Sequence, residues 1–264
     1  MAKFCSLFSS SSGNCTYIGS ENSGILIDAG VSAKRITSAL TDRGIDPKSI
    51  KAIFVTHEHT DHIKGIRVFA SNLSIPVFAT EGTLNGMREA NMLTEKFSAN
   101  GISYGEEREI DDMLIKSFKT PHDSLQSCGY TVTFSDGKKI SVATDLGHIT
   151  DEITDNISSS DLVLIESNHD IGMLENGDYP YFLKRRILSD VGHLCNEKCA
   201  ETVRFLLEKG VTRFYLGHLS EQNNIPDLAY QTTYAALCEA GAKNGIDYLL
   251  TVCPKENDRG IIKF

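Results

Sequence analysis

The chain has 264 residues, of which 41% are hydrophobic and 23% are charged, and this composition excludes long disordered stretches. Its formal net charge of -9 at pH 7 disfavours a general nucleic-acid binder with a basic surface. That exclusion is weaker for an enzyme with a metal centre, because metal ligands count as acids in the formal charge and bound cations reverse the local field.

Neither a linker-like tract nor an internal repeat divides the chain, and we therefore expect a single domain over residues 1–264. The seven cysteines are odd in number and lack zinc-finger spacing, which is typical of small buried side chains in a reducing compartment. The N-terminus has no signal-peptide pattern, and no apolar run approaches the roughly 18–20 residues that span a bilayer. We expect a cytoplasmic protein that does not bind membranes, whereas the oligomeric state is not readable from the residues.

The first half of the chain is predicted to be rich in strands. The apolar runs that predict them are Phe4–Phe8, Cys15–Ile18, Gly24–Gly30, Lys51–Thr56, Pro76–Ala79 and Leu114–Phe118. Ser32 can cap a helix that reaches about Arg43, where Gly44 is a stop signal. A second helix is predicted near Glu81–Asn91.

The second half alternates strands and helices. Ser135-Asp136-Gly137-Lys138 predicts a hairpin turn between the strands Gly129–Phe134 and Lys139–Ala143. The remaining predicted elements are the strands Leu162–Ile165, Thr212–Leu216 and Tyr248–Val252, and the helices Tyr181–Asp190, Asn196–Lys209 and Asp227–Asn244. An α/β (α+β) arrangement of two stacked sheets with outer helices accommodates both halves.

The run His57-Glu58-His59-Thr60-Asp61-His62 is the strongest chemical feature of the sequence. It begins where a predicted strand ends, so its side chains lie on a turn. Two histidines in an i, i+2 relation point the same way from extended backbone, and Asp61 and His62 can then reach a second position. Imidazole and carboxylate together suit divalent transition metals, and four such side chains in six residues rarely serve a core.

Further ligand-type residues recur at the ends of later predicted strands. His122 follows the strand at 114–118, Asp145 follows the strand at 139–143, and His218 follows the strand at 212–216. Each alone is compatible with an ordinary polar loop residue. With the run at 57–62, they complete the ligand set of a two-metal site, and Asp145 is the candidate for a bridging oxygen.

These residues, with Thr56 and the run Leu216-Gly217-His218-Leu219-Ser220, resemble the signature of the metallo-β-lactamase superfamily over nearly the whole chain. The resemblance implies an αββα sandwich, two stacked mixed β-sheets flanked by helices, with the site on one edge. It implies that one divalent metal ion is held by His57, His59 and His122, and a second by Asp61, His62 and His218. Asp145 would bridge the two ions.

Three segments are also similar to the bacterial YycJ/WalJ/VicX-like branch of that superfamily: residues 9–14, residues 166–170, and residues 192–194 together with 216–224. This resemblance implies a DNA exonuclease that acts from 5′ ends and is linked to DNA repair. The same segments resemble the tRNA 3′-processing ribonuclease Z pattern, in which a glutamate after a strand and a later histidine assist at the scissile phosphate. Glu166 and His193 occupy those places.

The chain departs from several other branches. No cysteine stands at position 145, where the commonest zinc β-lactamases have one. No large insertion separates Asp145 from His218, which disfavours the RNA-cleaving branch with an added cap domain. Because little sequence follows His218, we do not expect the extra helical domain of glyoxalase II.

The mechanism that we predict is two-metal phosphodiester hydrolysis, in which the ions generate a hydroxide and stabilise charge on the phosphate. Asp61 and Asp145 would orient that hydroxide. His193 would protonate the leaving oxygen or hold a phosphate oxygen, and Glu166 would fix its ring.

The candidate substrate contacts other than His193 are weaker predictions. Lys184 and Arg185 belong to a basic stretch that either contacts phosphate or is a solvated helix face. His169 either contacts the substrate or supports the metal-binding residues without touching the substrate. Asn14 either shapes the mouth of the site or stabilises a turn. His148 is predicted to lie on the rim or to be structural.

Three other classes of function remain open at this point. A nuclease for tRNA or other RNA has the same phosphate chemistry. A small-molecule hydrolase acting on a thioester, a lactone or a cyclic phosphodiester is favoured by the acidic pI of about 5.4. A non-hydrolytic role, as an iron-dependent oxygenase or a binding protein in a signalling pathway, would be favoured by one bound metal or none. The ligand types accept zinc, manganese or iron, and the sequence does not choose among them.

Overall fold

Two seven-stranded sheets form the centre of the protein in a computed structural model that describes residues 1–264. In spatial order, the first sheet contains Ile262–Lys263 (β14), Lys3–Phe8 (β1), Cys15–Gly19 (β2), Gly24–Ile27 (β3), Ile50–Phe54 (β4), Val77–Ala79 (β5) and Ala99–Gly101 (β6). Strands β14, β1, β2 and β3 pair antiparallel, whereas β3, β4, β5 and β6 pair parallel. The mixed pairing agrees with the prediction.

The second sheet has the same mixed character. In spatial order, it contains Leu249–Val252 (β13), Arg213–Gly217 (β12), Leu162–Glu166 (β11), Lys139–Ala143 (β10), Cys128–Phe134 (β9), Met113–Lys119 (β8) and Glu107–Ile110 (β7). Strands β10 to β13 are parallel, and β7 to β10 are antiparallel. The predicted hairpin between β9 and β10 is present, with Gly137 at a φ of +85° and Asp136 accepting a hydrogen bond from the Lys138 amide.

Helices cover the outer face of each sheet. The helices are Ala33–Asp42 (α1), Thr60–Ile63 (α2), Ile66–Leu73 (α3), Glu81–Glu89 (α4), Asp151–Ile157 (α5), Ile171–Asn176 (α6), Tyr181–Ile187 (α7), Asn196–Glu208 (α8) and Pro226–Glu239 (α9), with a short 3₁₀ turn at Pro47–Ser49. Apolar residues of α1, α3 and α4 pack on the first sheet, and those of α5, α8 and α9 pack on the second. Together these layers form the αββα sandwich that the resemblance implied.

Alternation along the strands builds three apolar layers. In β11, Leu164 packs between the two sheets, whereas Val163 and Ile165 point towards the helices. The layer between the sheets joins residues of both, for example Phe54 of β4 and Tyr130 of β9, whose ring centroids are 5.5 Å apart. The Tyr130 hydroxyl donates a hydrogen bond to the Val55 carbonyl across this interface, so the sheets are held in register beside the strand end that leads to His57.

Several predicted boundaries were wrong. The last long helix ends at Glu239 rather than near Asn244, because Gly241 adopts a φ of +78° and the Ala242 amide bonds back to the Leu237 carbonyl. The helix that begins at Tyr181 ends at Ile187 rather than Asp190. Short elements such as β6 and α6 were not predicted, since three to six residues are too few for a periodic pattern. None of the helices is both long and apolar enough to cross a bilayer.

Candidate metal centre

The carboxyl ends of six strands meet at one edge of the sandwich. Parallel strands of one sheet end on the same side, so the loops that follow them lie together. Strands β3 and β4 contribute from the first sheet, and β8, β10, β11 and β12 contribute from the second. The polar residues that follow or end these strands are Asp28, His57, His122, Asp145, Glu166 and His218.

Three of these residues occupy a backbone conformation that L-amino acids seldom adopt. Asp28, Asp145 and His218 have φ angles of 62°, 58° and 56°. Non-glycine residues at positive φ are uncommon and cluster at functional sites, where the surrounding structure holds them. Each of the three is the first or second residue after its strand. The sharp change of direction places Asp145 and His218 at a common cleft and Asp28 against His62.

His57, His59 and His122 form the first group of ligand-type atoms, and their nitrogens lie within 4.8 Å of one another. The Nε2 atom of His122 lies 3.3 Å from the Nδ1 atom of His59, and the rings of His57 and His59 are 4.5 Å apart. Burial, followed by the neighbouring imidazoles, lowers the pKa of His57 well below its ordinary value, so this ring is neutral. A neutral imidazole is the form that binds a metal.

Asp61, His62 and His218 form the second group. The Oδ2 atom of Asp61 lies 3.3 Å from the Nε2 atom of His62 and 3.5 Å from the Nε2 atom of His218. Burial opposes ionisation of Asp61, but His62 and His218 outweigh it and lower the pKa of the carboxyl group. The group therefore offers one carboxylate oxygen and two ring nitrogens to a common point.

Asp145 lies between the two groups. Its Oδ2 atom is 3.4 Å from the Nε2 atom of His62, and its Oδ1 atom is 3.7 Å from the Nε2 atom of His122. Although buried, Asp145 Oδ2, His57 Nε2 and His218 Nε2 have no hydrogen-bond partner. Buried polar atoms without partners are costly, and divalent cations bound by the two groups would provide partners for all three atoms. The donor set fits two metal ions, with the seven predicted ligands brought to one place.

In several of these histidines, one ring nitrogen donates to a fixed acceptor, which leaves the other ring nitrogen available to a metal. His122 Nδ1 donates to the Gly192 carbonyl at 3.1 Å, and His62 Nδ1 donates to the Asp28 carboxylate at 2.8 Å. Such partners set the tautomer and orientation of metal-binding histidines. Asp28 also accepts hydrogen bonds from the backbone and hydroxyl of Thr56.

Sequence reasoning missed Asp28, although a signal for it existed. Asp28 directly follows the last residue of β3, which pairs parallel with β4, and β4 leads into His57. An acidic residue one step beyond a parallel strand shares the edge with the motif on the next strand. The nearby Gly30 shows how close these segments come, because a Cβ there would lie 1.6 Å from the Asp61 carbonyl oxygen.

Glu166 connects three segments of the second sheet. Its Oε1 atom accepts hydrogen bonds at 2.8 Å from Nδ1 of both His193 and His218. Its Oε2 atom accepts from the backbone amides of Leu146 and Leu194 at 2.7 and 3.1 Å. Burial opposes ionisation of this carboxyl group, but His193 and then His218 outweigh it and lower its pKa. A single buried carboxylate thus orients His218 and His193 together.

A small cleft of about 170 Å³, here called the metal cleft, opens above these groups and is lined in part by Asp61, Asp145, Arg186, His193 and His218. His193 Nδ1 is engaged by Glu166, so its Nε2 atom is the ring nitrogen left for another partner. The Arg186 guanidinium is paired with Asp123, one of its bonds being 2.8 Å from Nη2 to Oδ1. That pairing fixes the cation at the wall of the cleft.

The other residues predicted to contact the substrate lie in separate places. Asn14 is buried, with its Nδ2 atom 3.3 Å from Oδ2 of Asp61 and 3.1 Å from Nε2 of His62. Lys184 Nζ donates to the carbonyls of residues 175 and 177 and so joins α6 to α7. Arg185 is exposed on α7. His169 is buried outside the metal cleft, beside a second cavity.

Comparison with known proteins agrees with this geometry. Residues 24–219 match the family described as the beta-lactamase superfamily domain. The chain is 37% identical over 248 residues to the exodeoxyribonuclease WalJ of Streptococcus pneumoniae, covering 93% of this chain and 92% of that protein. It is 36% identical over 241 residues to the exodeoxyribonuclease YycJ of Bacillus anthracis, covering 90% of each chain.

Solved structures show the same fold at much lower sequence identity. The metallo-beta-lactamase fold protein YhfI from Bacillus subtilis superposes with a TM-score of 0.72 at 14% identity, covering 99% of this chain and 98% of that one. Zinc-bound PqqB from Methylobacterium extorquens superposes with a TM-score of 0.73 at 15% identity, covering 99% and 100%. With its sandwich, its ligand set and these relatives, the chain belongs to the metallo-β-lactamase superfamily, in the branch that contains WalJ and YycJ.

Proposed function

We propose that the protein is a metal-dependent exodeoxyribonuclease that hydrolyses phosphodiester bonds from the 5′ ends of DNA. The observation that carries the proposal is His193, which lines the metal cleft beside the ligand-type residues and is held by the buried Glu166. A site built only to activate water needs no such pair, whereas phosphodiester cleavage needs a group at the leaving oxygen. The relatives named exodeoxyribonuclease over nine-tenths or more of the chain support the same reaction.

Two divalent ions fit the proposed site. His57, His59 and His122 would hold the first, Asp61, His62 and His218 the second, and Asp145 would contact both. When bound, the ions supply a hydroxide at neutral pH and positive charge near the attacked phosphate. Zinc, manganese and iron are all compatible with a set of imidazoles and carboxylates.

Side chains of the protein supply the other catalytic roles. Asp61, whose side chain is 24% exposed, is placed to accept a hydrogen bond from the attacking water. Arg186, fixed by Asp123, presents its charge to a non-bridging phosphate oxygen. His193 donates from Nε2 to the leaving oxygen, while Glu166 holds the ring by Nδ1.

The exposed face of α7 supplies a path for the strand as it enters the metal cleft. Tyr181 and Phe182 are 76% and 75% exposed, which is unusual for aromatic side chains without a partner. Bases stack on such rings in proteins that bind single strands, and the exposed Arg185 lies on the same helix to contact phosphate. Lys184 and Asn14 would act indirectly, Lys184 by fixing α7 and Asn14 by holding Asp61 and His62 in place.

The test is hydrolysis of duplex and single-stranded DNA, labelled at either the 5′ or the 3′ end, by protein loaded with Mn²⁺, Zn²⁺ or Fe²⁺. We expect stepwise release of nucleotides from 5′ ends by the wild type. Asp61→Asn should remove it, and the matched control Asp42→Asn, an exposed aspartate at the end of α1, should retain it. Cleavage of RNA but not DNA, or of small esters alone, would replace this proposal by another activity.

A further inference from the structure

A second cavity, of about 540 Å³, adjoins the metal cleft. We call it the His169 cavity; its lining includes Ile149, His169, Ile171, Leu188, His193 and Lys198. It lies among the loop after β10, the loop after β11, the segment that follows α7 and the start of α8. His193 is the one residue that lines both the His169 cavity and the metal cleft. A molecule bound in the cavity would therefore touch the ring proposed to act at the leaving oxygen.

His169 is the least satisfied polar group in this part of the protein. His169 is only 1% exposed, yet neither of its ring nitrogens has a hydrogen-bond partner. Burial lowers its pKa to about 4, so the ring is neutral and offers one donor and one acceptor. An unpaired buried imidazole is costly to the folded protein unless something else binds it. This points to a ligand that can hydrogen-bond to the ring.

The rest of the lining fits an uncharged ligand. Ile149, Ile171 and Leu188 provide an apolar wall beside polar groups such as His148 and Thr202, and this mixed lining suits a small organic molecule that has both apolar faces and polar edges. The single cation, Lys198, is paired with Glu201 at 2.6 Å, and Asp190 adds a carboxylate. The charges therefore do not favour a phosphate, which Arg186 and the metal-binding groups of the neighbouring cleft would attract instead.

We propose that the His169 cavity binds the sugar and base of the nucleotide that is removed from the end of the strand. This inference rests on the proposed function and names where its departing group lies. The oxygen of water forms a bond to phosphorus, and the bond from phosphorus to O3′ of the terminal residue breaks. O3′ takes a proton from His193, which regains one from water. The products are the terminal nucleotide with a 3′-hydroxyl group and a shortened strand with a 5′-phosphate.

The position of His193 connects the two compartments in this scheme. With the scissile phosphate in the metal cleft, the leaving O3′ lies at the His193 ring, and the sugar and base of the terminal residue extend into the His169 cavity. His169 would hydrogen-bond a base edge, and the isoleucines would contact the flat faces. Base-carrying ends should therefore be cut faster than ends that lack a base.

The experiment compares two duplexes that differ only at the 5′-terminal residue, which is deoxyadenosine in one and a stable abasic residue in the other. For the wild type, we expect kcat/KM for the first cut to be at least about tenfold higher with deoxyadenosine. Ile149→Trp, which fills the cavity, and His169→Phe, which keeps a ring but removes both nitrogens, should bring the ratio towards one. Val68→Trp, at a 53% exposed position on α3, is the control and should keep the wild-type ratio.

A binding measurement separates this inference from the nuclease proposal. Deoxyadenosine has no phosphate for the metal-binding groups, so it reports on the cavity alone. NMR shifts of the Ile171 methyl group should saturate with deoxyadenosine in the wild type and vanish in Ile149→Trp. Equal cutting of both ends without such shifts would overturn the cavity assignment and leave the nuclease intact. Failure to cut either end would overturn the nuclease proposal, and the deoxyadenosine titration would still decide the cavity. A melting temperature for His169→Phe at or above the wild-type value would show that the variant is folded.

Discussion

The two sheets contribute to the metal centre in different ways. The first sheet provides four ligand-type residues on one continuous segment after β4, residues 57–62, which runs into α2 and is here called the ligand loop. The second sheet provides one residue from each of several loops, the ligand-type residues being His122, Asp145 and His218. The ligand loop is held by local backbone geometry and by Asp28, whereas the dispersed side depends on Glu166 to keep separate loops in register.

Because of this difference, substitutions on the two sides of the metal centre should act in different ways. A change in the ligand loop removes a metal contact directly. A change at Glu166 or Asp28 leaves every ligand-type residue present, but the histidines lose the partner that fixes the orientation of their rings. Such a loss typically lowers metal affinity or activity by about 10- to 100-fold. The expected effects decrease from Asp145, which contacts both groups, to a residue that only guides the substrate.

The largest effect is expected for Asp145→Asn, because Asp145 contacts both groups and lies at a positive φ that asparagine tolerates. We expect kcat to fall by about 10³-fold, as when a transition-state contact is lost, with a folded protein by circular dichroism. Asp111→Asn, at another exposed aspartate with a positive φ of 51°, is the control. Retained activity in Asp145→Asn would contradict the shared role of this carboxylate.

Glu166→Gln tests the dispersed side. The amide can supply only one oxygen where the carboxylate accepts four hydrogen bonds, so either the two rings or the two backbone amides lose their acceptor. We expect a loss of about 10- to 100-fold in kcat/KM, with the pH–rate profile changed on the limb where His193 acts. Glu208→Gln, at the exposed end of α8, is the matched control. An unchanged pH profile would show that Glu166 is only structural.

Asp28→Asn tests the support of the ligand loop. Asparagine keeps one acceptor oxygen but loses the charge and the second oxygen that Asp28 offers to His62 and Thr56. His57 is linked to Asp28 only through the Thr56 hydroxyl, and His59 and His122 have no hydrogen bond to it. We expect the second ion to bind about 10- to 100-fold more weakly while the first is retained. Metal analysis after dialysis should then give about one ion per chain instead of two. Equal loss of both ions would mean that Asp28 supports the whole loop rather than one ligand.

Metal binding should also release protons. Burial opposes protonation of His218, but Asp145 and then Asp61 and Glu166 outweigh it and raise its pKa to about 10. The metal-free protein thus carries imidazolium at neutral pH, and a cation must displace that proton. Below that pKa, the affinity for the metal should rise about tenfold for each unit by which the pH increases, for each proton that is displaced. Calorimetry in buffers of different ionisation enthalpy measures the release, and a pH-independent affinity would contradict it.

The smallest effect is expected on the approach path. Tyr181→Ala removes one exposed ring without touching the metal-binding groups, so KM for single-stranded DNA should rise by about tenfold while kcat holds. Tyr234→Ala, an exposed tyrosine on α9, should leave both constants unchanged. A fall in kcat for Tyr181→Ala would place the ring closer to the reaction than the path along α7 allows.

The sequence by itself determined much of the protein. The ligand loop was readable because its four side chains are neighbours in the chain, and the resemblance that it carried implied the αββα sandwich. Strand ends also located His122, Asp145 and His218, since each follows a recognisable apolar run. Local pattern is sufficient in these cases because the chemistry and the strand that presents it lie within a few residues.

Only the tertiary structure decided the remaining features. Asp28 lies 34 positions from His62 in sequence, and Glu166 lies 52 positions from His218, yet each pair is in contact at 2.8 Å. Lys184 could have been a phosphate contact, but its amine is taken by backbone carbonyls that no sequence pattern reveals. The unpartnered ring of His169 exists only because four separate segments close around it. Hydrogen-bond partners between distant segments depend on how the sheets and loops pack, and that packing is not encoded in any local stretch.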